Sequence, residues 1–407
     1  MLILLIVLVV LNFIFDRVLE SLNASRISIK LPEAAKGIYD AEKYRKSQEY
    51  FRANQRFSQL ASAFSFVLLI SMLIFGGFGY LDTYLRQYTQ DPVWISLLFF
   101  AVIGFGSDIL SLPFSIYKTF VIEEKFGFNK TSVRLFILDK LKGYLLSLLL
   151  GGAFIAALVN IYLDTGEYFW ILAWLVMTVI LIFASMFYTS LFLPLFNKLS
   201  PLQDGELRDA IRDYCESAGF QLTNIFVMDG SKRSSKANAF FSGLGKKKKI
   251  VLYDTLIEKH STDELVAILA HETGHYKLKH TRTGLLMGVV QTGLMLFILS
   301  KFLGNNASAN ALGAELSSFH LDIIAFSLLY SPISTVLGIF SNFLSRKHEY
   351  EADAFARISY KADPLVTALK KLSSDNLSNL VPHPAYVFVH YSHPPLLKRL
   401  EALLKAE

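Results

Sequence analysis

The chain has 407 residues, 53% of them hydrophobic, with 34 phenylalanines and a mean hydropathy of +0.41. These values are too apolar for an ordinary soluble domain and predict a polytopic membrane protein. The net charge of +6 is explained by basic residues beside apolar segments, so nucleic-acid binding receives little weight. The single cysteine, Cys215, excludes a disulfide framework and a cysteine-based zinc site, so any metal must be held by histidines and carboxylates.

Seven apolar segments are long enough to cross a bilayer core of about 30 Å, which needs roughly 20 helical residues. They lie near 2–19, 59–84, 93–115, 143–163, 168–195, 284–303 and 321–343. The first segment lacks a basic N-terminal region and an A-x-A-like cleavage site, so we interpret it as a retained anchor. The predicted fold class is therefore an all-α polytopic membrane protein with seven transmembrane helices.

The basic residues of the connections alternate along the chain. The connection between the first two spans is rich in Lys and Arg, whereas the next loop, RQYTQDP, contains only Arg86. The third connection is again basic, and the loops LDTGEY and 305–320 have no basic residue. By the positive-inside rule, the N-terminus lies outside, while the large fifth connection and the C-terminus lie in the cytoplasm.

The fifth connection has the pattern of a small α+β domain. A helical stretch ends at Gly219, and the strand-like runs NIFVMD, NAFFSGL and KIVLYD follow. Ser261 and Glu264 then form a capping-box signature for a helix start. We interpret the lysines Lys246 to Lys249 as a solvated hairpin turn near anionic headgroups and not as a substrate site. The predicted division of the chain is 1–196 (spans one to five), 197–283 (peptidase domain), 284–343 (spans six and seven) and 344–407 (C-terminal part of the peptidase domain).

The stretch LVAILAHETGHYKLKH, residues 265–280, carries the candidate chemistry. A spacing of four puts His271 and His275 on one helical face, close enough for both imidazoles to bind one Zn²⁺. Glu272 is rotated about 100° from His271, so it can take a proton from water that zinc activates without being a ligand. A chance H-E-x-x-H on an amphipathic helix is the alternative. The preceding strands favour a zinc peptidase.

A catalytic zinc needs a third protein ligand, and the remaining candidates lie in SRKHEYEADAFA, residues 345–356. Glu349 and Asp353 are four apart on one helical face, so Glu349 is predicted as the ligand and Asp353 as the carboxylate that orients an imidazole N–H. Glu351 is rotated roughly 200° from Glu349, and His348 is expected to point elsewhere. The alternative is an ordinary charged helix next to the membrane.

The chain resembles the type I CAAX prenyl endopeptidases, a family of integral-membrane zinc metallopeptidases. The resemblance is carried by HETGHYKLKH and SRKHEYEADAFA, together with SKRSSKANAFFSGLGKKKKIVLYDTLIE, TFVIEEKFGFNKT and YSHPPLLKRLEAL. It implies one Zn²⁺ per chain on His271, His275 and Glu349, with Glu272 as general base. It also implies that the seven helices form a ring around a large water-filled chamber, with the zinc site at the cytoplasmic end.

The same resemblance implies roles for residues that have no motif of their own. Asn238, together with Ala239, is expected to bind the substrate backbone. His393 and Arg399 are expected to lie around the scissile carbonyl, with His393 stabilising the oxyanion. From the residues alone, a surface histidine ahead of a helix would be the preferred interpretation of His393.

The resemblance implies cleavage that removes the C-terminal tripeptide of prenylated C-a-a-X proteins. The chain is shorter than eukaryotic members and ends in LLKAE without a dilysine-type signal, which favours a bacterial cytoplasmic membrane over the endoplasmic reticulum. A quality-control protease for membrane proteins, without prenylated substrates, is the alternative. A channel or transporter would leave the zinc motif unexplained, and an inactive binding scaffold would predict a lost Glu272 or ligand. The expected partners are a peptide or protein substrate and the lipid bilayer, with no nucleic acid, and we expect a monomer.

Overall fold

The computed structural model of the protein describes residues 1–28, 30–219, 225–242 and 249–405. Parts of two predicted strands, residues 224, 243 and 244, lie outside the described residues, as do Lys246 to Lys248 of the predicted hairpin turn. Helices dominate the described structure, and a small sheet lies between the fifth and sixth predicted spans.

The first half of the chain is helical. Its helices are α1 (Leu2–Ala24), α2 (Ala41–Ile74), α3 (Gly77–Leu85), α4 (Pro92–Tyr117), α5 (Val133–Leu146), α6 (Gly152–Thr165), α7 (Phe169–Phe187) and α8 (Leu193–Phe196). The second half contains α9 (Glu206–Ser217), α10 (Asp254–Ile257), α11 (Thr262–Lys277), α12 (His280–Ser300), α13 (Asn306–Ala311), α14 (Phe319–Ser359), α15 (Ala362–Asp375), α16 (Pro384–His390) and α17 (Leu396–Lys405). Wider π-helical turns continue α4 and join α5 to α6 and α7 to α8, at Lys118–Glu123, Ser147–Gly151 and Tyr188–Phe192.

Six helical segments among the described residues are long and apolar enough to cross a membrane. Five overlap one predicted span each, and the sixth, Val133–Phe196, contains the fourth and fifth together. This segment turns back at Gly166, whose φ of 51° and ψ of −112° interrupt the helix. Lys142 Nζ donates to the carbonyl of Leu195 at 2.7 Å, so the two ends of the segment lie side by side. The segment therefore forms two antiparallel spans, which gives the predicted total of seven.

The predicted second span, 59–84, is wrong at its C-terminal end. The helix α2 ends at Ile74, and Gly76, with a φ of 63°, starts the separate helix α3. The amide of Gly79 donates to the carbonyl of Leu312 at 2.8 Å, and a Cβ on Gly79 would lie 2.1 Å from the carbonyl carbon of Gly313. The chain thus turns at Gly76 so that α3 can pack against the backbone after α13, at a distance that only glycine allows.

The sheet is built from β1 (Leu199–Pro201), β2 (Ile225–Met228), β3 (Ala239–Ser242) and β4 (Lys249–Tyr253). The strand order is β1-β2-β4-β3, with β2 parallel to β4 and the other two pairs antiparallel. The three predicted strands are confirmed within the described residues. The sequence analysis missed β1, which is three residues long and ends in proline. The order leaves β3 at one edge of the sheet.

The domain is attached to the membrane helices by Arg233, which follows β2. Its Nε and one terminal nitrogen each donate to a carboxylate oxygen of Asp139 on α5 at 2.9 Å. The same terminal nitrogen donates to the carbonyl of Phe196 at 2.7 Å. A guanidinium that binds a carboxylate with two parallel hydrogen bonds fixes orientation as well as distance. The sheet is therefore held against the middle of α5 and the end of α8.

The helices α11 and α14 carry the candidate chemistry and pack directly against each other. The capping box of Ser261 and Glu264 begins α11, as predicted. A Cβ on Gly274 would lie 3.1 Å from the Cα of Ala352, so the two helix backbones approach closely there. The helix α14 has 41 residues, a length of roughly 60 Å at 1.5 Å per residue, about twice the thickness of a bilayer core. One helix thus contains the seventh span and continues into the peptidase domain across the predicted boundary at 343/344.

The close approach of α3 to the segment after α13 gives the first prediction. Gly79→Ala should lower the thermal stability of the detergent-purified protein, since overpacking against backbone that cannot move costs about 1–3 kcal/mol. Gly104→Ala in α4, where a Cβ meets nothing within 4 Å, is the matched control and should be neutral or stabilising. Equal melting temperatures for the two variants would contradict this packing.

Candidate metal centre

Three side chains from α11 and α14 converge in one place. The Nε2 atoms of His271 and His275 lie 3.2 Å apart. The carboxylate of Glu349 faces both rings, with Oε1 3.2 Å from His275 Nε2 and Oε2 3.6 Å from His271 Nε2. All three ligand atoms lie within 4.8 Å of one another, and His271 and Glu349 are buried. The structure thus brings together the three residues that the sequence analysis named as ligands.

The hydrogen bonds around these residues fit a cation between them. His271 Nδ1 lies 2.9 Å from Asp353 Oδ1, and His275 Nδ1 lies 3.0 Å from His280 Nδ1. If both Nδ1 atoms carry the hydrogen, the two Nε2 atoms present lone pairs to each other, and no hydrogen bond can join them. Glu349 Oε2 is buried and accepts no hydrogen bond. Two imidazole nitrogens and a carboxylate oxygen are a ligand set that Zn²⁺ binds, with a further position left open.

Glu272 lies beside the group without belonging to it. It follows His271 on α11 and is half-buried. Burial raises the pKa of its carboxyl, an effect that the neighbouring His271 and His275 oppose. Among the described residues, none donates a hydrogen bond that lowers this pKa. The carboxylate is therefore free to accept a proton from a molecule in the site.

A buried ion pair, Arg399–Asp353, lies next to the three converging residues. Arg399 on α17 donates from Nε and one terminal nitrogen to Asp353, at 2.8 and 2.6 Å. Its other terminal nitrogen lies 3.2 Å from Glu349 Oε2. Burial alone would lower the pKa of Arg399, but Asp353 and Glu349 raise it, so the guanidinium keeps its charge. Arg399 thus contacts both buried carboxylates of the site, Asp353 and Glu349.

His393 reaches the site from the loop between α16 and α17. Its Nε2 lies 3.4 Å from Glu349 Oε1, and its side chain is 64% exposed. The end of α16 and the start of the loop are held by α14, because Asn342 donates to the carbonyl of Val389 at 2.7 Å and Arg346 donates to the carbonyl of Tyr391 at 2.6 Å. An exposed imidazole at the rim can meet a molecule that enters from solvent.

The strand β3 presents its backbone at the edge of the sheet. The carbonyl of Asn238 accepts from the amide of Tyr253 at 3.1 Å, so these two residues form a hydrogen-bonded pair of the antiparallel ladder. Because such pairs alternate, the backbone groups of Ala239 point away from β4. Asn238 is exposed, and its Oδ1 accepts from the Ala239 amide at 2.9 Å. No described strand pairs with this outer edge.

A second group of side chains, adjacent to the first, was not predicted as a unit. His280 lies 2.9 Å from Glu351 through its Nε2, and its ring stacks on His348 with centroids 3.9 Å apart. The sequence analysis left His280 without a role and placed His348 and Glu351 away from the ligands. The turn at Lys279, with a φ of 63°, is what directs His280 back towards α14. No sequence spacing could reveal this contact, because 71 residues separate His280 from Glu351.

An H-E-x-x-H helix joined by a distant glutamate in a chain with seven spans defines an integral-membrane metallopeptidase. Two family models agree with this class. The model described as the CAAX prenyl protease N-terminal region with five membrane helices matches residues 21–198, and that of peptidase family M48 matches residues 201–407. The chain belongs to peptidase family M48 and to its CAAX prenyl protease 1 group.

Relatives cover nearly the whole chain. A CAAX prenyl protease 1 homologue of Oryza sativa subsp. japonica is 36% identical over 98% of this chain and 96% of its own length. CAAX prenyl protease 1 of Saccharomyces cerevisiae is 34% identical over 96% and 92%. The crystal structure of S. mikatae Ste24p matches with a TM-score of 0.94 and 32% identity, over 99% of this chain and 98% of that one. The protein is therefore a multi-pass membrane metallopeptidase that acts on peptide or protein substrates.

The buried Arg399–Asp353 ion pair gives the second prediction. Arg399→Met should destabilise the protein by about 3–5 kcal/mol, because it leaves the buried Asp353 carboxylate without its partner. The double variant Asp353→Leu/Arg399→Met should lose less than the sum of the single variants. Lys398→Met, on the exposed side of the same helix, is the control and should change little. Unfolding of the zinc-free protein in detergent measures all four, and strictly additive losses would contradict a coupled pair.

Proposed function

We propose that the protein is a zinc endopeptidase that removes the C-terminal tripeptide from prenylated C-a-a-X proteins. The observation that carries the proposal is the convergence of His271, His275 and Glu349 beside an unengaged Glu272. The three residues would hold one Zn²⁺ per chain. When bound, zinc supplies a Lewis acid that polarises the scissile carbonyl and makes water nucleophilic at neutral pH.

The general base in this proposal is Glu272. Its carboxylate takes a proton from the attacking water and delivers it to the nitrogen of the leaving amine. The pKa that burial raises makes the carboxylate a better base than a solvated glutamate. Because the side chain stands next to His271 without contributing a ligand atom, proton transfer and metal binding are separable.

The groups around the ligands have distinct roles. His393, at the exposed rim, donates to the oxyanion that forms when water adds to the carbonyl. Arg399 was expected near the scissile carbonyl, and its contacts also support a role in positioning the ligands. Its guanidinium donates to Asp353 and lies near Glu349, so it orients His271 and the third ligand. Asp353 in turn accepts from His271 Nδ1 and fixes that ring.

The substrate backbone is proposed to bind the free edge of β3. An extended peptide can add to this edge through backbone hydrogen bonds that do not depend on side chains. Asn238 would release the Ala239 amide and donate to the peptide through its own side-chain amide. The names of the relatives, which are CAAX prenyl proteases, support a C-terminal C-a-a-X segment as the peptide.

The site is proposed to lie on the cytoplasmic side of the membrane, in a monomer. The alternation of basic connections supports this side, and the Arg233–Asp139 contact joins the peptidase domain to the ends of the spans that carry the basic loops. A bacterial cytoplasmic membrane is the favoured location, with the endoplasmic reticulum membrane as the alternative. The water-filled chamber within the ring of helices is part of the same proposal, because a prenyl chain and a peptide need separate environments.

The third prediction tests the proposed function directly. Glu272→Gln should reduce cleavage of a prenylated C-a-a-X peptide by roughly 10²–10⁴-fold while retaining about one zinc per chain, because it removes a base and no ligand. Zinc analysis and steady-state kinetics on purified protein measure both. Glu258→Gln, at an exposed carboxylate ahead of α11, is the control. Wild-type cleavage by Glu272→Gln would exclude this mechanism, and equal cleavage of the unprenylated peptide by the wild type would favour a quality-control protease.

The fourth prediction concerns the substrate edge. Asn238→Ala should lower kcat/KM for unrelated peptides by a similar factor, roughly 10-fold for a lost hydrogen bond of about 1.5 kcal/mol, with zinc content unchanged. If Asn238→Ala impairs one peptide and spares another, that residue recognises side chains and not the backbone.

His393→Ala should act mainly on kcat, because an oxyanion is present only during the reaction.

The fifth prediction concerns sidedness. In a variant from which the buried Cys215 has been removed, single cysteines at the exposed positions 88 and 310 should react with an impermeant reagent from outside, and those at 40 and 247 only from the cytoplasm. Labelling of sealed vesicles of both orientations measures this. The reversed pattern would place the peptidase domain outside and refute the cytoplasmic assignment.

A further inference from the structure

The group formed by His280, His348 and Glu351 lies against the candidate metal centre but contributes nothing to the chemistry described so far. His280 begins α12 and is buried, with a side chain 6% exposed. Both of its ring nitrogens have partners, since Nδ1 is 3.0 Å from His275 Nδ1 and Nε2 is 2.9 Å from Glu351 Oε2. His280 therefore connects a proposed metal ligand to a carboxylate on α14.

The positions of the hydrogens decide between two roles for this group. A histidine that binds metal through Nε2 carries its hydrogen on Nδ1, so His275 donates to His280 Nδ1. A neutral His280 that accepts at Nδ1 carries its own hydrogen on Nε2, which then donates to Glu351. Every donor has an acceptor in this arrangement. These tautomers follow from the hydrogen-bond partners.

A second metal ion on His280, His348 and Glu351 would disrupt that pattern. The ion would need a lone pair on His280 Nε2, which moves the hydrogen to Nδ1. Two Nδ1–H groups, from His275 and His280, would then point at each other across 3.0 Å. The parallel stacking of His280 and His348, with 7° between the ring planes, also keeps their in-plane lone pairs from converging on one point. The cluster is therefore poorly suited to hold a metal.

We propose that Glu351 and His280 form a hydrogen-bonded relay that fixes the ring orientation and tautomer of His275, which makes them positioning residues for the metal. This inference rests on the proposed function, because it takes His275 as a zinc ligand. His348 supports the relay by stacking on His280 and holding its ring in the plane of both hydrogen bonds. The outer partners of metal-ligating histidines set the basicity and orientation of the ligand.

The relay makes the two ligand histidines unequal. His271 donates directly to Asp353, a buried carboxylate that Arg399 neutralises. His275 instead donates to a neutral imidazole, and the carboxylate behind it, Glu351, is 40% exposed. Solvent screens an exposed charge, so the relay should act more through geometry than through charge. Loss of His280 should therefore matter more than loss of the Glu351 charge.

The test is the zinc affinity of the full-length protein in detergent, measured by competition with a chromophoric chelator. His280→Leu, which cannot accept a hydrogen bond, should weaken zinc binding by about 10–100-fold, and Glu351→Gln by up to about 10-fold. His280→Asn, whose Oδ1 occupies the position of the histidine Nδ1, should recover much of the affinity. Glu258→Gln is the control for the loss of one carboxylate charge in this domain. The melting temperature of the zinc-free Glu351→Gln protein should equal that of the wild type, which separates positioning from a general structural role.

The possible results separate the relay from the function on which it rests. Equal zinc affinities for wild type, His280→Leu and Glu351→Gln overturn the relay alone. A wild type that binds two zinc ions, one of which is lost in Glu351→Gln without change at the other, shows a second metal site and also overturns it. A wild type that binds no zinc contradicts the proposed function together with the relay. One zinc with the stated order of affinities supports both.

Discussion

The candidate metal centre depends on the close packing of α11 against α14. Gly274 and Ala352 bring the two backbones so near that a Cβ on the glycine would lie 3.1 Å from the neighbouring Cα. His271 and His275 lie on that face of α11, and Glu349 lies one turn before Ala352 on α14. Because α14 also contains the seventh membrane span, its packing fixes the height of the site relative to the bilayer. A soluble peptidase domain would have no such constraint.

This packing buries two carboxylates, Glu349 and Asp353, which would be costly without compensation. Arg399 offsets part of that charge through two hydrogen bonds to Asp353, and a divalent cation would offset the rest. His271 and His275 are each held by a partner at Nδ1, so both rings keep their orientation before metal arrives.

Features that follow from apolar runs or from residues four apart could be predicted from the sequence. Features that depend on contacts between distant parts of the chain could not. Apolar runs gave the seven spans, a spacing of four gave the two histidines, and the same spacing paired Glu349 with Asp353. The break at Gly76 was missed because its cause is a backbone contact with Gly313, far along the chain. The contact of His280 with Glu351 was missed for the same reason, since 71 residues separate the two. The expected roles of Asn238, His393 and Arg399 came from family resemblance alone, because no motif spacing in the sequence singles these residues out.

The central claim is that one zinc ion binds where α11 meets α14. Anomalous diffraction at the zinc absorption edge, from crystals of the wild-type protein, tests it most directly. The account predicts one peak about 2.0–2.2 Å from Nε2 of His271, Nε2 of His275 and a carboxylate oxygen of Glu349. A peak between His280, His348 and Glu351, or no peak near α11 in protein that cleaves peptides, would contradict it.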